Sequence, residues 1–279
     1  MPAFARDGFV RIDSFLSPAE VTVARRLVDK LAREPVDPSC VRPHNTLVPL
    51  RFNHRLVDLA LRGRERVDRL AASVGASDLR WISGYVSIKE PKSGALWWHQ
   101  DWWCWQHPAS FASSAPQVAV LCYLRKTDRQ SGALRVWPGS HRASTPLHAL
   151  LPGAHRVGME GIGWNHPAMA DHREQVTLAA CAGDAVVIDY RLLHGTHPNA
   201  SSTRRNCLLL NFTPGWRDLR ADLRAHLIRH PAQPGSDERA EAAWAARLLP
   251  TFHGVPRDLP LDREAPARFG QRKPASLGR

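Results

Sequence analysis

The chain has 279 residues, of which 43% are hydrophobic and 23% charged, so it can bury one substantial core and is not a disordered polymer. Its formal charge of +12 brings polyanions to mind, yet the arginines are interleaved with acids in "RRLVDKLAR" and "RGRERVDR" as on solvated helix faces, so nucleic acid is not the expected partner. Five widely spaced cysteines with no CxxC pair exclude a disulfide framework and a zinc knuckle, and with no apolar leader in "MPAFARDGFVRIDSF" and no run of eighteen apolar residues the expectation is a cytoplasmic protein without a membrane partner.

In chain order, "FVRIDSF" alternates near period 2 and predicts a short strand. "SPAEVTVARRLVDKLAR" then predicts a helix: Ser17 as N-cap, Pro18 at the first position, and Glu20 reaching back as in a capping box. A second helical stretch covers "HRLVDLALRGRERVDRLAASV", interrupted at Gly63. From about residue 79 the texture is β. "LRWISGYVSIK", "QVAVLCYLR", "GALRVWP", "QVTLAA", "DAVVIDY" and "NCLLLNFTP" are short strands separated by Gly, Pro, Asp and Ser. With no helices between them they predict an antiparallel sandwich or jelly roll. After Trp216, "WRDLRADLRAHLIRH" and "SDERAEAAWAARLL" predict helices, followed by Pro- and Arg-rich coil. The expected organisation is a domain over residues 1–216 and a helical and coil extension over 217–279 packed on that same domain.

The stretch "WWHQDWWCW" sets His99 and Asp101 among five tryptophans. In an extended segment alternate side chains share a face, so one imidazole and one carboxylate can reach one metal ion. A third ligand is sought elsewhere, and His194, at the end of the apolar strand in "VVIDYRLLHGTHPN", is the main candidate; His197 is the alternative. Two histidines and one carboxylate form the facial triad of non-haem Fe(II) oxygenases, whereas zinc favours closed N and S sites. Arg205 follows His194 by eleven residues at the mouth of "CLLLNF". Its planar fork suits the far carboxylate of an iron-chelating diacid, and Thr196 adds a hydroxyl donor. A one-residue register change would put Arg204 in that place. By strand parity, Trp97 and Trp103 share a side with His99 and Asp101 and are candidate walls of a substrate pocket, with Trp98 and Trp102 packed behind. His141 in "PGSH" reads as a turn residue or a support behind the ligands. His107, His148, His155, His166 and His172 read as loop or surface histidines, Asp184 as a turn-former and Asp189 as a satisfied strand polar.

Four ordered motifs carry a resemblance: "FARDGFVRIDSFLSPAEV", "SIKEPKSGALWWHQD", "SGALRVWPGSH" and "AGDAVVIDYRLLHGTHPN" with its arginine. Over roughly residues 4–215 the chain resembles the phytanoyl-CoA dioxygenase family of Fe(II)- and 2-oxoglutarate-dependent oxygenases. The resemblance implies a mainly β fold, a double-stranded β-helix (jelly-roll, cupin-like) barrel with N-terminal and C-terminal helices. It also implies iron on His99, Asp101 and His194, 2-oxoglutarate held by Arg205 with Thr196, and dioxygen as oxidant. The implied reaction is hydroxylation, or another oxidation, of an unactivated C–H bond of a small molecule, with release of succinate and CO2. Asp101 argues against halogenation, since the related halogenases lack that carboxylate. Leu121 stands where family members often carry Trp. Two other readings use the same residues: a nucleic-acid demethylase of the same chemistry, and a catalytically silent member that binds a metabolite. Oligomeric state, monomer or homodimer, is left open.

Overall fold

In the computed structural model the described residues are 2–42, 44–151, 162, 165–241 and 243–266. The strands in chain order are β1 (Phe9–Ile12), β2 (Val41–Arg42), β3 (Asn45–Pro49), β4 (Leu79–Lys89), β5 (Leu96–His99), β6 (Val118–Tyr123), β7 (Leu134–Val136), β8 (Val176–Leu178), β9 (Ala185–Asp189), β10 (His194–Thr196) and β11 (Arg205–Pro214). The helices are α1 (Ala3–Asp7), α2 (Pro18–Leu31), α3 (Arg55–Leu61), α4 (Arg64–Ser73), α5 (Ala221–Leu227) and α6 (Ser236–Glu241). Two antiparallel sheets result, one of order β1-β9-β6-β11-β4-β3-β2 and one of order β5-β10-β7-β8. This is the jelly-roll layout anticipated from the short, turn-separated strands.

The large sheet is buried on both sides, which explains why its central strands are apolar throughout instead of alternating with polar residues. In β6, Val118, Val120 and Cys122 face a core shared with Val21, Ala24 and Val28 of α2, Leu56 of α3 and Leu70 of α4. The intervening Ala119, Leu121 and Tyr123 face the small sheet and meet Leu134, Val136 and Leu178. Leu121 thus stands inside the barrel.

The α2 capping box forms as expected. Ser17 N–H donates to Glu20 Oε2 at 2.8 Å and Glu20 N–H to Ser17 Oγ at 3.3 Å. Glu20 also receives both bonds from Arg66 Nη2, at 2.7 and 2.8 Å, so the "GRERVDR" face is not wholly solvated. Gly63 separates α3 from α4 and serves as the latter's N-cap.

Several elements depart from expectation. The β2–β3 hairpin has only a few residues, one of them Pro49, and exists because β3 pairs with β4 from Thr46↔Ile88 to Pro49↔Tyr85. Helix α5 begins only after residue 220, because Gly215, with φ of 59°, starts a turn that the Trp216 indole anchors by donating to Thr251 O at 2.8 Å. Beyond α6 the chain tightens into a 3-10 stretch, Ala243–Leu248. The extension then returns along the tryptophan segment. Asp262 N–H donates to Trp103 O at 2.8 Å and Trp105 N–H to Asp262 O at 3.0 Å, a parallel bridge. Trp102, Trp103, Trp105, Trp216, Leu223 and Leu227 form one cluster there. The coil expected after residue 266 lies outside the described residues.

Candidate active site

Strands β5 and β10 place two histidines opposite each other, His194 pairing with His99. The strands run unusually close at Gly195, where a side-chain Cβ would sit 2.8 Å from both Leu96 O and Trp97 O. Strand β5 ends at His99. From there Gln100 Nε2 donates to Arg191 O and Trp102 N–H donates to Tyr190 O at 2.9 Å. These two bonds dock residues 100–102 against the turn after β9 and deliver Asp101 between the histidines. Asp101 Oδ1 lies 3.6 Å from His99 Nε2, and Oδ2 lies 3.5 Å from His194 Nε2. The imidazole centroids are 4.2 Å apart. One ligand atom from each of the three residues falls within 4.8 Å of the others.

The ring nitrogens facing away from this point are engaged as well. His99 Nδ1 lies 2.9 Å from Trp97 O, and His194 Nδ1 lies 2.9 Å from Leu192 O. A carbonyl accepts only, so each Nδ1 carries the proton and each Nε2 turns a lone pair toward Asp101, the tautomer a metal ion needs. Burial disfavours the imidazolium of His194, but the Asp101 charge and hydrogen bond, helped by Leu192 O, outweigh it and raise its pKa. The Asp101 carboxylate, between the two imidazole Nε2 atoms, gives this point the negative potential that favours a cation. Two imidazoles and one carboxylate meeting on one side match the facial donor set of Fe(II).

His194 opens its own strand, β10, and does not end the preceding one. Between them Asp189 and Arg191 form a buried ion pair, Oδ2 to Nη2 2.7 Å, and Arg191 Nη1 also donates to Ser110 O and Ala112 O, at 3.2 and 2.8 Å. Asp189 is therefore satisfied, as expected, and Asp184 caps its turn by accepting from Ser14 N–H and Cys181 N–H.

Strand parity does not carry past His99, and this changes the reading of the tryptophans. Trp97 packs with Ala168 and Trp98 with Leu147 and Leu193. Trp102 and Trp103 share the cluster facing the extension, their rings 5.2 Å apart. They do not sort into front and back walls.

Arg205 and Arg204 are separated by burial. Arg205 is 4% exposed, while Arg204 points outward to Glu90, Nε to Oε2 2.8 Å. Inside the barrel Arg205 makes two long contacts through Nη1, to Ser87 Oγ at 3.4 Å and Cys207 Sγ at 3.3 Å, and its buried Nε has no partner. Thr196, also buried, accepts from Leu96 N–H at 3.3 Å through Oγ1, leaving its hydroxyl proton to donate. Sequence reasoning passed over Lys89, which pairs with Arg205 across β4 and β11. Burial, then the charges of Arg205 and Arg135, pull its pKa down to about 7. Lys89 Nζ is held by His44 O at 3.2 Å and by Gly94 O. Its signal in the sequence was a lysine closing the otherwise buried strand "YVSIK". Tyr190 was missed too. Its carbonyl accepts from Trp102 N–H, one residue past Asp101, and burial and then the nearby charges of Asp101 and Tyr85 push its phenol well above the ordinary value.

The other histidines are not all surface groups. His107 is buried and lies 3.3 Å from Asp222 at the start of α5, and His148 is buried and accepts from Thr145 N–H at 2.9 Å. His141 is buried against Gly8. His197 bonds Thr177 Oγ1 at 2.8 Å and is no part of the triad. His166 and His172 are partly exposed; His155 lies outside the described residues.

Fold and donor set together match one class of protein, the jelly-roll, non-haem iron, 2-oxoglutarate-dependent dioxygenases. Residues 4–207 match the description "Phytanoyl-CoA dioxygenase (PhyH)", and the chain belongs to that family. It is 26% identical over 157 residues to a probable alpha-ketoglutarate-dependent hypophosphite dioxygenase of Stutzerimonas stutzeri, covering 56% of this chain and 52% of the relative. It therefore spans about half the length of that protein. Over 229 residues it is 28% identical to an ectoine dioxygenase of Nocardia farcinica, covering 76% of each. Among solved structures, the epimerase SnoN in complex with Fe3+, alpha ketoglutarate and nogalamycin RO shares the fold, with a TM-score of 0.55 and 20% identity over 91% of this chain and 93% of that one. No described helix is long and apolar enough to cross a membrane.

Proposed function

We propose that His99, Asp101 and His194 hold Fe(II), that Arg205 with Thr196 anchors the distal carboxylate of 2-oxoglutarate, and that the enzyme hydroxylates an unactivated C–H bond of a small molecule. The observation that carries this reading is the buried Arg205 guanidinium with its unpartnered Nε, on the same barrel interior as a complete donor set. A buried cation in that state calls for an anion, and a fork calls for a carboxylate.

When bound, iron and 2-oxoglutarate supply dioxygen activation, one oxygen atom leaving in succinate and the other entering the product, with CO2 released. The chain's own residues do the positioning. Trp97 O and Leu192 O fix the imidazole tautomers. The docking of residues 100–102 on the Tyr190–Arg191 turn sets Asp101. Leu121, Tyr123 and Leu134 line an apolar barrel wall that keeps water from the reacting centre. Trp97 and Trp103, both nearly buried, are kept as substrate-wall candidates on proximity in sequence to the ligands. Residues 217–266 belong to the same domain through the shared cluster with Trp102 and Trp103. Five free thiols suit a reducing compartment such as the cytoplasm.

The test is anaerobic addition of Fe(II) and then 2-oxoglutarate to the metal-free protein, watched by visible absorption. The weak charge-transfer band of an iron-bound 2-oxo acid is expected for wild type and absent for His99→Ala. A folded wild type that never develops the band refutes the assignment.

A further inference from the structure

Away from the candidate metal centre, the start of β4, the turn after β11 and the C-terminal extension line a half-open pocket of about 290 Å³. Three arginines from three different places line it: Arg80 of β4, Arg217 of the turn after β11, and Arg224 of α5. Trp216 and Phe252 supply apolar wall. None of these residues belongs to the triad or to the Arg205 pocket.

The charges are unbalanced. Asp78 pairs with Arg80, Nη2 to Oδ2 3.2 Å, and Arg80 also donates to Leu79 O and Arg247 O. Arg217 is exposed and makes no ion pair among the described residues. Arg224 lays its guanidinium near the Phe252 ring, 6.0 Å from its centroid, and its Nε is buried without a hydrogen-bond partner. Burial, partly offset by Asp78 and reinforced by Arg217, holds the pKa of Arg80 below its ordinary value. Three guanidiniums with one carboxylate leave two positive charges around one small space. Such a cluster repels itself and strands a buried donor unless an anion joins it.

We propose that this cavity is a second ligand site, which takes a small phosphate monoester. The forks of Arg217 and Arg224, backed by the charge of Arg80, whose own guanidinium is engaged by Asp78, Leu79 O and Arg247 O, match a dianion with three acceptor oxygens better than a flat carboxylate, which one fork saturates. Trp216 and Phe252 then bound the organic part. The volume lies near the lower end of ligand cavities, about 300–1,000 Å³, so the organic part is small.

The probe is phenyl phosphate, titrated calorimetrically into the full chain at constant ionic strength, with inorganic phosphate in parallel and melting curves to check the folding of each variant. Saturable one-to-one binding is expected for wild type. Arg217→Gln, at an exposed position, and Arg224→Gln should each weaken it about tenfold or more, whereas Arg173→Gln, an exposed arginine elsewhere, and His99→Ala should not. Tighter binding of phenyl phosphate than of inorganic phosphate is the further expectation; equal affinity overturns the monoester assignment. Failure to saturate overturns the site, as does undiminished binding by folded Arg217→Gln. Loss in Arg173→Gln would mean general charge attraction, and loss in His99→Ala would put the probe at the metal centre; either overturns the proposal.

Discussion

Gly195→Ala tests how the metal ligands are held. The added methyl would lie 2.8 Å from Leu96 O and Trp97 O, backbone atoms that cannot move without opening the β5–β10 ladder. Trp97 O is also the carbonyl that receives His99 Nδ1 at 2.9 Å, so the push falls on the bond that aims one ligand. Overpacking of this kind costs about 1–3 kcal/mol. At about 2–4 °C per kcal/mol, the melting temperature should fall by several degrees. Disturbing a partner of a ligating histidine should weaken metal binding a further ~10–100-fold. Differential scanning calorimetry and titration with Co(II) as a spectroscopic substitute read the two effects separately. Gly235→Ala, with nothing within 4 Å, is the control and should change neither. If Gly195→Ala keeps wild-type melting and wild-type metal affinity, the close approach of β5 and β10 does not hold the ligands, and the reasoning fails.

Arg205→Ala should raise the 2-oxoglutarate concentration for half-maximal band formation by ~10-fold or more, while Arg204→Ala, whose partner is the exposed Glu90, should shift it little; equal shifts would show that burial does not decide between them. His148, pulled down to about 4 by burial, stays neutral in the fold and takes a proton first in the unfolded chain. Its linkage therefore removes stability as pH falls from about 6.5 to about 4, on the order of 3 kcal/mol in all, and His148→Gln should flatten that part of a urea-midpoint profile against pH. Arg191→Met leaves Asp189 buried and unpaired, so a loss of about 3–5 kcal/mol is expected in urea unfolding; a loss under 1 kcal/mol would mean that the buried pair is not what holds the turn before His194.

Much of the barrel was legible in the sequence because its long strands have one composition throughout. Strand β4 matches "LRWISGYVSIK" from end to end, and β11 extends "NCLLLNFTP" by one residue. His99, Asp101 and His194, singled out in the sequence, come within 4.8 Å of one another, although Asp101 is set by the bonds of Gln100 and Trp102 to the Tyr190–Arg191 turn and not by strand parity. What escaped rests on contacts between distant segments. Parity gives no account of what holds residues 100–103, because β5 stops at His99, where Gln100 and Trp102 bond to a turn some ninety residues later. Lys89 and Arg191 were passed over because nothing local reveals that carbonyls from far along the chain surround them. The β2–β3 hairpin was invisible for the same reason: its stability comes from β4.

The bridge between Cys104 and Asp262 sets an order on biosynthesis. The ribosome makes the segment that follows Asp101 before the first half of the chain is complete, yet that segment's outer hydrogen bonds wait for Asp262. Until then Trp103 O and Trp105 N–H have only water, and the apolar faces of Trp102, Trp103 and Trp105 lack the helix that covers them. A nascent chain at that stage exposes its greasiest surface next to its metal ligands, the condition in which chaperones bind and aggregates start. Trimming of the finished enzyme back through Asp262 would take away those two backbone hydrogen bonds and leave α5 in place, so the last turn of the extension and the segment behind Asp101 are tied to each other.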